Sequence, residues 1–285
     1  MLSFVKKHSL VYFAVYCVLF AIAIIITGSV RAETIPQTSE QTPALVQTVD
    51  APAAAAQATF PVITNVEYTA SLDWMVPVMS SCANITPGFS IVTHLVPGSQ
   101  MQPSEGAVLL RWGEPPELAD YSAQLAENHL VMIVNPENPL TSLTPALFRQ
   151  IAEGKISNWN AVFQQCPDCF ESQPSGELGN LSPVLNFYQA GEEVQDMFER
   201  QIMDGAPVAR AAAALIPSSL SMKQAVTQET AAIGYIPSGA VDSSVKAITL
   251  SGLEESRLTM PILAITNSEP QGVARGWLLC VQQSI

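Results

Sequence analysis

The sequence predicts an α/β domain with a mostly parallel sheet over residues 60–285. From Phe60 onward, strand-like and helix-like segments alternate, which is typical of parallel strands joined by helices. Glycine and proline mark the joints between these segments. With 48% hydrophobic and only 13% charged residues, the composition is that of a globular protein with a sizeable core.

The first 32 residues have the features of an export signal or of an N-terminal membrane anchor. Lys6, Lys7 and His8 precede an apolar run from Leu10 to Ile26, and residues 30–32 (VRA) offer small side chains around a cleavage point. The apolar run is short for a membrane span, so we favour cleavage over a retained anchor. Both alternatives predict an extracytoplasmic location, whether secreted, periplasmic or at the cell surface.

Residues 33–59 predict a disordered linker, because Thr, Gln, Ala and Pro follow one another there without periodicity. The formal charge of the chain is −13, and removal of residues 1–32 takes away three basic residues and no acid, which leaves −16. No basic run of five or more residues follows the N-terminus, so we predict no nucleic-acid partner and membrane contact only through the N-terminal segment.

Four cysteines lie beyond the signal segment, an even number that suits an oxidising compartment. Cys166 and Cys169 form a lone CxxC in a polar loop, and we favour a small local disulfide there over a zinc or redox motif. Cys82 and Cys280 each lie on an apolar, helix-like segment. The sequence leaves open whether these two pair or remain buried thiols.

The predicted elements follow in order along the chain. PVITNVEYTA is a strand that leads through residues 69–71 into a helix reaching about Asn84, and FSIVTHLV and GAVLLRW are the next two strands. The run HLVMIVNP is continuously apolar, which is typical of a strand buried on both faces of a parallel sheet. The segment LTPALFRQIAEG then predicts a short helix capped by Thr144 and ended by Gly154. Its apolar face comprises Leu147, Phe148 and Ile151.

The order of these segments resembles the phosphate-binding proteins of ABC transporters, in the type 2 periplasmic-binding-protein superfamily. The resemblance is carried by VNPENP, the capped helix, GKISNW and the later AIGYIP, and it covers roughly Val131 to Pro237. It implies two α/β lobes with mixed, mostly parallel sheets flanked by helices and a ligand cleft between them. Lobe 1 would comprise about 60–138 plus 255–285, and lobe 2 about 139–254.

In that family, hydroxyls, helix N-termini and one arginine hold the phosphate. The second-lobe pattern Arg-x-x-Gly-Ser-Gly-Thr falls on YQAGEEV, where Gly191 matches and Tyr188 stands in place of the arginine. Glu192, Glu193 and Val194 replace Ser-Gly-Thr. At ~5 Å and an effective dielectric of ~20, one carboxylate repels a negative charge by about 3 kcal/mol. Alternatively, the two glutamates form an ordinary first helical turn that points to solvent.

The remaining ligand-binding candidates lie in the first lobe and at the crossover between lobes. Thr69 and Ser71 keep two hydroxyls before a helix, which makes either a weak polar site or an ordinary cap. Arg111 is the best cation left for the cleft. Trp112 either stacks on a ligand or lies on the lobe surface, and Asn135 follows the last strand before the crossover. We expect Trp74 and Trp159 to be core residues.

No catalytic motif is present, so the sequence predicts a protein that is not an enzyme and has no cofactor and no metal site. The leading hypothesis is an exported solute-binding protein whose partner is a small-molecule solute and which delivers it to an ABC transporter permease. Because the anion motif is altered, a neutral or cationic polar solute suits it better than phosphate. The alternative is a ligand-free sensory or protein-interaction module that kept the fold and lost the site.

Overall fold

The structure, a computed structural model, describes residues 62–115, 119–206 and 214–285. The predicted export segment over 1–32 and the predicted linker over 33–59 lie outside the described residues. Within these ranges, none of the helices has both the length and the apolar character needed to cross a membrane. Contacts within the chain group residues 57–285 into one compact unit.

The first half of the domain is built on five neighbouring strands in the order β2-β1-β3-β10-β4. Their bounds are β1 Val62–Tyr68, β2 Phe89–Leu95, β3 Ala107–Trp112, β4 Tyr121–Val134 and β10 Thr259–Thr266. β1 is parallel to β2 and β3, whereas β10 is antiparallel to β3 and β4. The chain therefore returns to this half at its C-terminal end.

The second half continues from β4 through β8, β6 and β7. The bounds are β5 Ser142–Leu143, β6 Val184–Tyr188, β7 Ala214–Ile216, β8 Ala232–Pro237 and β9 Lys246–Leu250. β6 is parallel to β7 and β8, while β4 is antiparallel to β8 and β9. β4 belongs to both halves, since its first part pairs with β10 and its last five residues pair with β8.

The expectation that HLVMIVNP lies in a parallel sheet is wrong. This run is the end of the long strand β4, which is antiparallel to all its partners. Met132, Ile133 and Val134 are fully buried. A continuous apolar run reports burial on both faces, and burial alone does not fix the direction of the neighbouring strands.

Six α-helices among the described residues cover the sheet. Their bounds are α1 Val76–Ile85, α2 Pro145–Ala152, α3 Trp159–Gln165, α4 Glu193–Gln201, α5 Ser219–Gln228 and α6 Gly272–Ser284. The capped helix predicted around residue 145 is confirmed. The backbone N–H of Leu147 donates to the Thr144 hydroxyl at 3.1 Å, and Gly154 adopts a positive φ of 72° just after the helix.

Two disulfides connect the four cysteines of the described domain. Cys82 on α1 bonds to Cys280 on α6 across a sequence separation of 198 residues, with the two Cα atoms 5.8 Å apart. Cys166 bonds to Cys169 within one short turn. The first bond ties the C-terminal helix to the first helix of the domain, whereas the second closes only a local loop.

Replacing Cys82 and Cys280 together by serine should lower the free energy of unfolding by about 2–5 kcal/mol, because a long loop loses its constraint in the unfolded chain. Urea unfolding followed by tryptophan fluorescence measures the loss. The matched control replaces Cys166 and Cys169 by serine and should cost less, since its loop is far shorter. Equal losses for the two double variants would contradict this account.

Candidate functional site

A buried ion pair joins the two halves of the domain. Arg111 lies near the end of β3 in the first half, and Glu193 is the first residue of α4 in the second half. The Arg111 Nη2 atom lies 3.0 Å from Glu193 Oε1, and the two side chains are only 9% and 8% exposed. Such a pair contributes a directed contact between the halves, because either charge left alone in this place would cost several kcal/mol.

The Glu193 carboxylate lies directly against backbone of the first half. A Cβ atom at Gly98 would be 2.7 Å from Glu193 Oε1, so a residue with a side chain would displace the carboxylate. Burial raises the pKa of Glu193 to about 7, against the opposing attraction of Arg111. Burial therefore destabilises the ionised form of Glu193, and the charge of Arg111 offsets part of this destabilisation.

Glu192, the residue before α4, brings a second carboxylate to the same seam. Burial raises its pKa, while the backbone N–H groups of Ala70 and Gly98 act in the opposite direction. The Oε2 atom of Glu192 has no hydrogen-bond partner in the described residues. Ala70 begins the 3-10 turn that precedes α1, so its N–H is one of the free donors at the start of a helical segment. We call the set of Arg111, Ala70 and Gly98 with the carboxylates of Glu192 and Glu193 the carboxylate clasp.

A reciprocal contact runs from the first half to the N-terminus of α5. The Leu220 backbone N–H donates to Asp73 Oδ2 at 2.8 Å. Next to it, the Ser219 hydroxyl lies 3.4 Å from the Ala70 carbonyl, 3.3 Å from the Ser71 carbonyl and 3.0 Å from the Tyr188 hydroxyl. Negative charge is favoured at a helix N-terminus, and here the chain itself supplies it.

A cavity of about 670 Å³ opens beside the clasp. The ion pair of Arg111 and Glu193 lines it. The other charged residues around it are Glu114, Asp196, Glu199 and Arg200, and Gly98, Ser99 and Gly191 also line it. Carboxylates outnumber guanidinium groups around it. Burial also raises the pKa of Asp196. The cavity is therefore acidic, and it favours a cationic or neutral polar solute over an anion.

The structure brings several of the predicted site residues to the seam. Arg111 and Gly191 line the acidic cavity, and Glu192 belongs to the clasp. Thr69 and Ser71 are fully buried, and their hydroxyls lie 3.1 Å from each other. The interpretation of Glu192 and its neighbour as a turn that points to solvent is wrong, since both are buried.

Tyr188, which stands where the family has an arginine, is also buried at the seam. Its hydroxyl is paired with that of Ser219, and burial raises its pKa strongly. The phenol therefore stays neutral and cannot replace the positive charge of an arginine.

Trp112 and Asn135 are held by backbone carbonyls. Trp112 is not on the lobe surface but fully buried, and its indole N–H lies 3.2 Å from the Asn128 carbonyl and 3.1 Å from the Met260 carbonyl. It also lines the acidic cavity beside Arg111. The Asn135 amide donates to the carbonyls of Val226 and Thr227 at 3.1 and 2.8 Å, so it binds the end of α5 rather than the cavity. Trp159 is in the core as expected. The same expectation for Trp74 is wrong, because Trp74 is only partly buried and lines a cavity.

Sequence reasoning missed Gly98 and Asp73. Gly98 acts by lacking a side chain, and Asp73 acts on a backbone N–H that is 147 positions away in the chain. Only the Pro-Gly pair at 97–98 gave a local signal, and it indicated a turn rather than a site. Among the residues described, no group of three or more His, Cys, Asp or Glu is arranged to hold a metal ion.

Solved structures share this fold. A phosphate ABC transporter substrate-binding protein from Clostridium perfringens, with bound phosphate, matches 77% of this chain and 92% of its own at 19% identity and a TM-score of 0.56. An ABC-type phosphate transport receptor from Vibrio cholerae matches 77% and 93% at 20% identity and 0.51. The CcmR regulatory domain of Synechocystis PCC6803, in complex with 2-PG, matches 78% and 96% at 12% identity and 0.51.

The chain thus has the two-lobed type 2 periplasmic-binding-protein fold, in a divergent form that resembles phosphate-binding proteins. The same fold serves a regulatory domain, so the likeness is one of architecture. No protein-family model and no curated protein matches the sequence.

Replacing Glu193 by glutamine should change how stability depends on pH. The folded pKa of about 7 lies above the ordinary value of 4.5, so the folded state holds this proton more tightly and the wild type loses stability as pH rises from about 4.5 to 7. Glutamine cannot ionise. From pH 5 to pH 8, the free energy of unfolding of the wild type should therefore fall by roughly 2–3 kcal/mol relative to that of Glu193→Gln.

Urea unfolding at both pH values measures this difference. Glu105→Gln is the control. Glu105 is exposed, so the stability of this variant should depend on pH as that of the wild type does. The same pH dependence in Glu193→Gln and in the wild type would show that the carboxylate is not buried as described.

Proposed function

We propose that the domain is an extracytoplasmic solute-binding module whose solute is not phosphate. One observation carries the proposal: the chain's own carboxylates already lie against the groups of the first half that could hold an anion. Arg111 pairs with Glu193, and the N–H groups of Ala70 and Gly98 face Glu192. An entering phosphate would have to displace both carboxylates or bear their repulsion, about 3 kcal/mol for each charge pair.

The acidic cavity beside the clasp supports a neutral or cationic polar solute. Glu114, Asp196 and Glu199 lie around it, and Arg200 is its main positive group apart from the paired Arg111. The similar proteins from Clostridium and Vibrio are described as phosphate-binding components of ABC transport. For this chain we propose the same general role, with a permease as partner and a different solute.

The disulfides support the extracytoplasmic location. Two bonds that use all four cysteines of the described domain suit an oxidising compartment. The predicted export segment at the N-terminus is consistent with this. We propose a binding function for the domain.

The second candidate is a ligand-free sensory or protein-interaction module. It is favoured by the contacts that join the halves through the chain's own groups, such as the Leu220 N–H on Asp73 and the Ser219 hydroxyl beside Ala70. A domain that is already closed has less to gain from a solute that closes it. A regulatory domain with the same fold gives this candidate a precedent in architecture.

Phosphate should not raise the melting temperature of the wild-type chain, whereas the double variant Glu192→Ser/Glu193→Ser should gain phosphate binding. Serine removes both negative charges and restores hydroxyls beside Arg111, so phosphate at 100-fold over its Kd should add about 2.7 kcal/mol of stability. Adding Arg111→Gln to the double variant should abolish the gain. Thermal melts with and without phosphate measure all three proteins.

Glu105→Ser/Glu137→Ser is the matched control, since it removes two exposed acids and changes the net charge equally. A melting shift of the wild type with phosphate would contradict the proposal. The same melts with sugars, amino acids, polyamines and oxyanions separate the two candidates. A shift with a solute other than phosphate supports the binding module, and no shift with any solute supports the ligand-free module.

A further inference from the structure

A second cavity of about 670 Å³ lies at the seam and shares no lining residue with the acidic cavity. It lies between the 3-10 turn of the first half and the N-terminus of α5. Much of its wall is apolar, with Val76 and Leu95 from the first half and Leu220 and Val241 from the second. Leu95 and Leu220 are 48% and 56% exposed, so apolar surface also faces solvent at this place.

Two aromatic residues and one carboxylate give this cavity its polarity. Tyr68, Asp73 and Trp74 line it together. The Trp74 ring packs against Gly239, where a Cβ atom would collide with the ring. Burial and the negative charge of Asp73 both raise the pKa of Tyr68.

Among the residues that the structure describes, one carboxylate at this cavity pairs with no cationic side chain. Lys223 Nζ lies 2.6 Å from Asp242 Oδ2, so these two lining residues neutralise each other. One oxygen of Asp73 accepts the Leu220 N–H, and the other, Oδ1, has no hydrogen-bond partner in the described parts of the chain. The result is a negative potential behind an aromatic and apolar wall.

We propose that this cavity binds an organic ammonium ion. Its positive nitrogen would lie against the rings of Tyr68 and Trp74 within the field of Asp73, and its carbon atoms would cover the apolar wall. Aromatic faces attract cations, and a weakly hydrated ammonium group loses less on leaving water than a metal ion does. The negative charge of Asp73 would repel an anion, and it would not attract a neutral solute.

This inference goes beyond the proposed function, because it adds a second solute site in a cavity other than the acidic one. Isothermal titration of the purified full chain tests it with choline and with phenethylammonium, a quaternary and a primary ammonium ion. The uncharged analogue of choline, 3,3-dimethylbutan-1-ol, has nearly the same shape. We expect at least one ammonium ion to bind, and where choline binds, we expect its neutral analogue to bind at least tenfold more weakly.

Two variants locate the site. Asp73→Asn keeps an oxygen for the Leu220 N–H but removes the charge, and it should weaken ammonium binding at least tenfold. Tyr68→Leu keeps an apolar side chain but removes the ring, and it should weaken binding severalfold. Asp168→Asn, at an exposed turn far along the chain, is the control and should bind as the wild type does. Thermal melts check that each variant is folded.

Three results would overturn the inference: no binding of either ammonium ion, equal binding of choline and its neutral analogue, or unchanged binding in folded Asp73→Asn. A loss of affinity in Asp196→Asn instead would place the ammonium in the acidic cavity and would equally overturn it. None of these results removes the proposed function, which fails if phosphate stabilises the wild-type chain or if no solute in the melting panel does.

Discussion

The buried ion pair between Arg111 and Glu193 is the contact on which the seam of this domain depends. Taking two charges out of water costs several kcal/mol for each, so both must meet in one geometry. The local backbone is consistent with that requirement. Gly191, with a positive φ of 88°, turns the chain into α4, which places Glu193 in its first turn. Gly98 leaves room for the carboxylate against the opposite backbone.

The clasp reverses the usual use of helix N-termini in anion-binding sites. Free N–H groups at the start of a helical segment attract negative charge, whether it comes from a ligand or from the chain. Here Glu192 supplies it to the turn before α1, and Asp73 supplies it to α5. Each half provides a carboxylate to the other. The two halves can therefore stay in contact without a solute. The space that remains for a solute is in the two cavities.

Local sequence predicts the elements well and their partners poorly. The capped helix α2 follows from Thr144 and Gly154, because caps and stops act within a few residues. The direction of β4 does not follow, because burial on two faces is common to parallel and antiparallel neighbours. At the site, the loss of the anion motif at Glu192 and Glu193 can be read from the sequence. Their burial cannot, since Arg111, Ala70 and Gly98 come from distant segments that only the fold brings together.

Solution scattering from residues 57–285 in phosphate-free buffer tests the central claim, that the chain's own carboxylates hold the two halves together. Opening of the halves would increase the radius of gyration. The account predicts that the wild type without solute scatters as the closed structure does, and that Glu192→Ser/Glu193→Ser is more extended. A wild type that is extended alone and becomes compact only when a solute is added would contradict it.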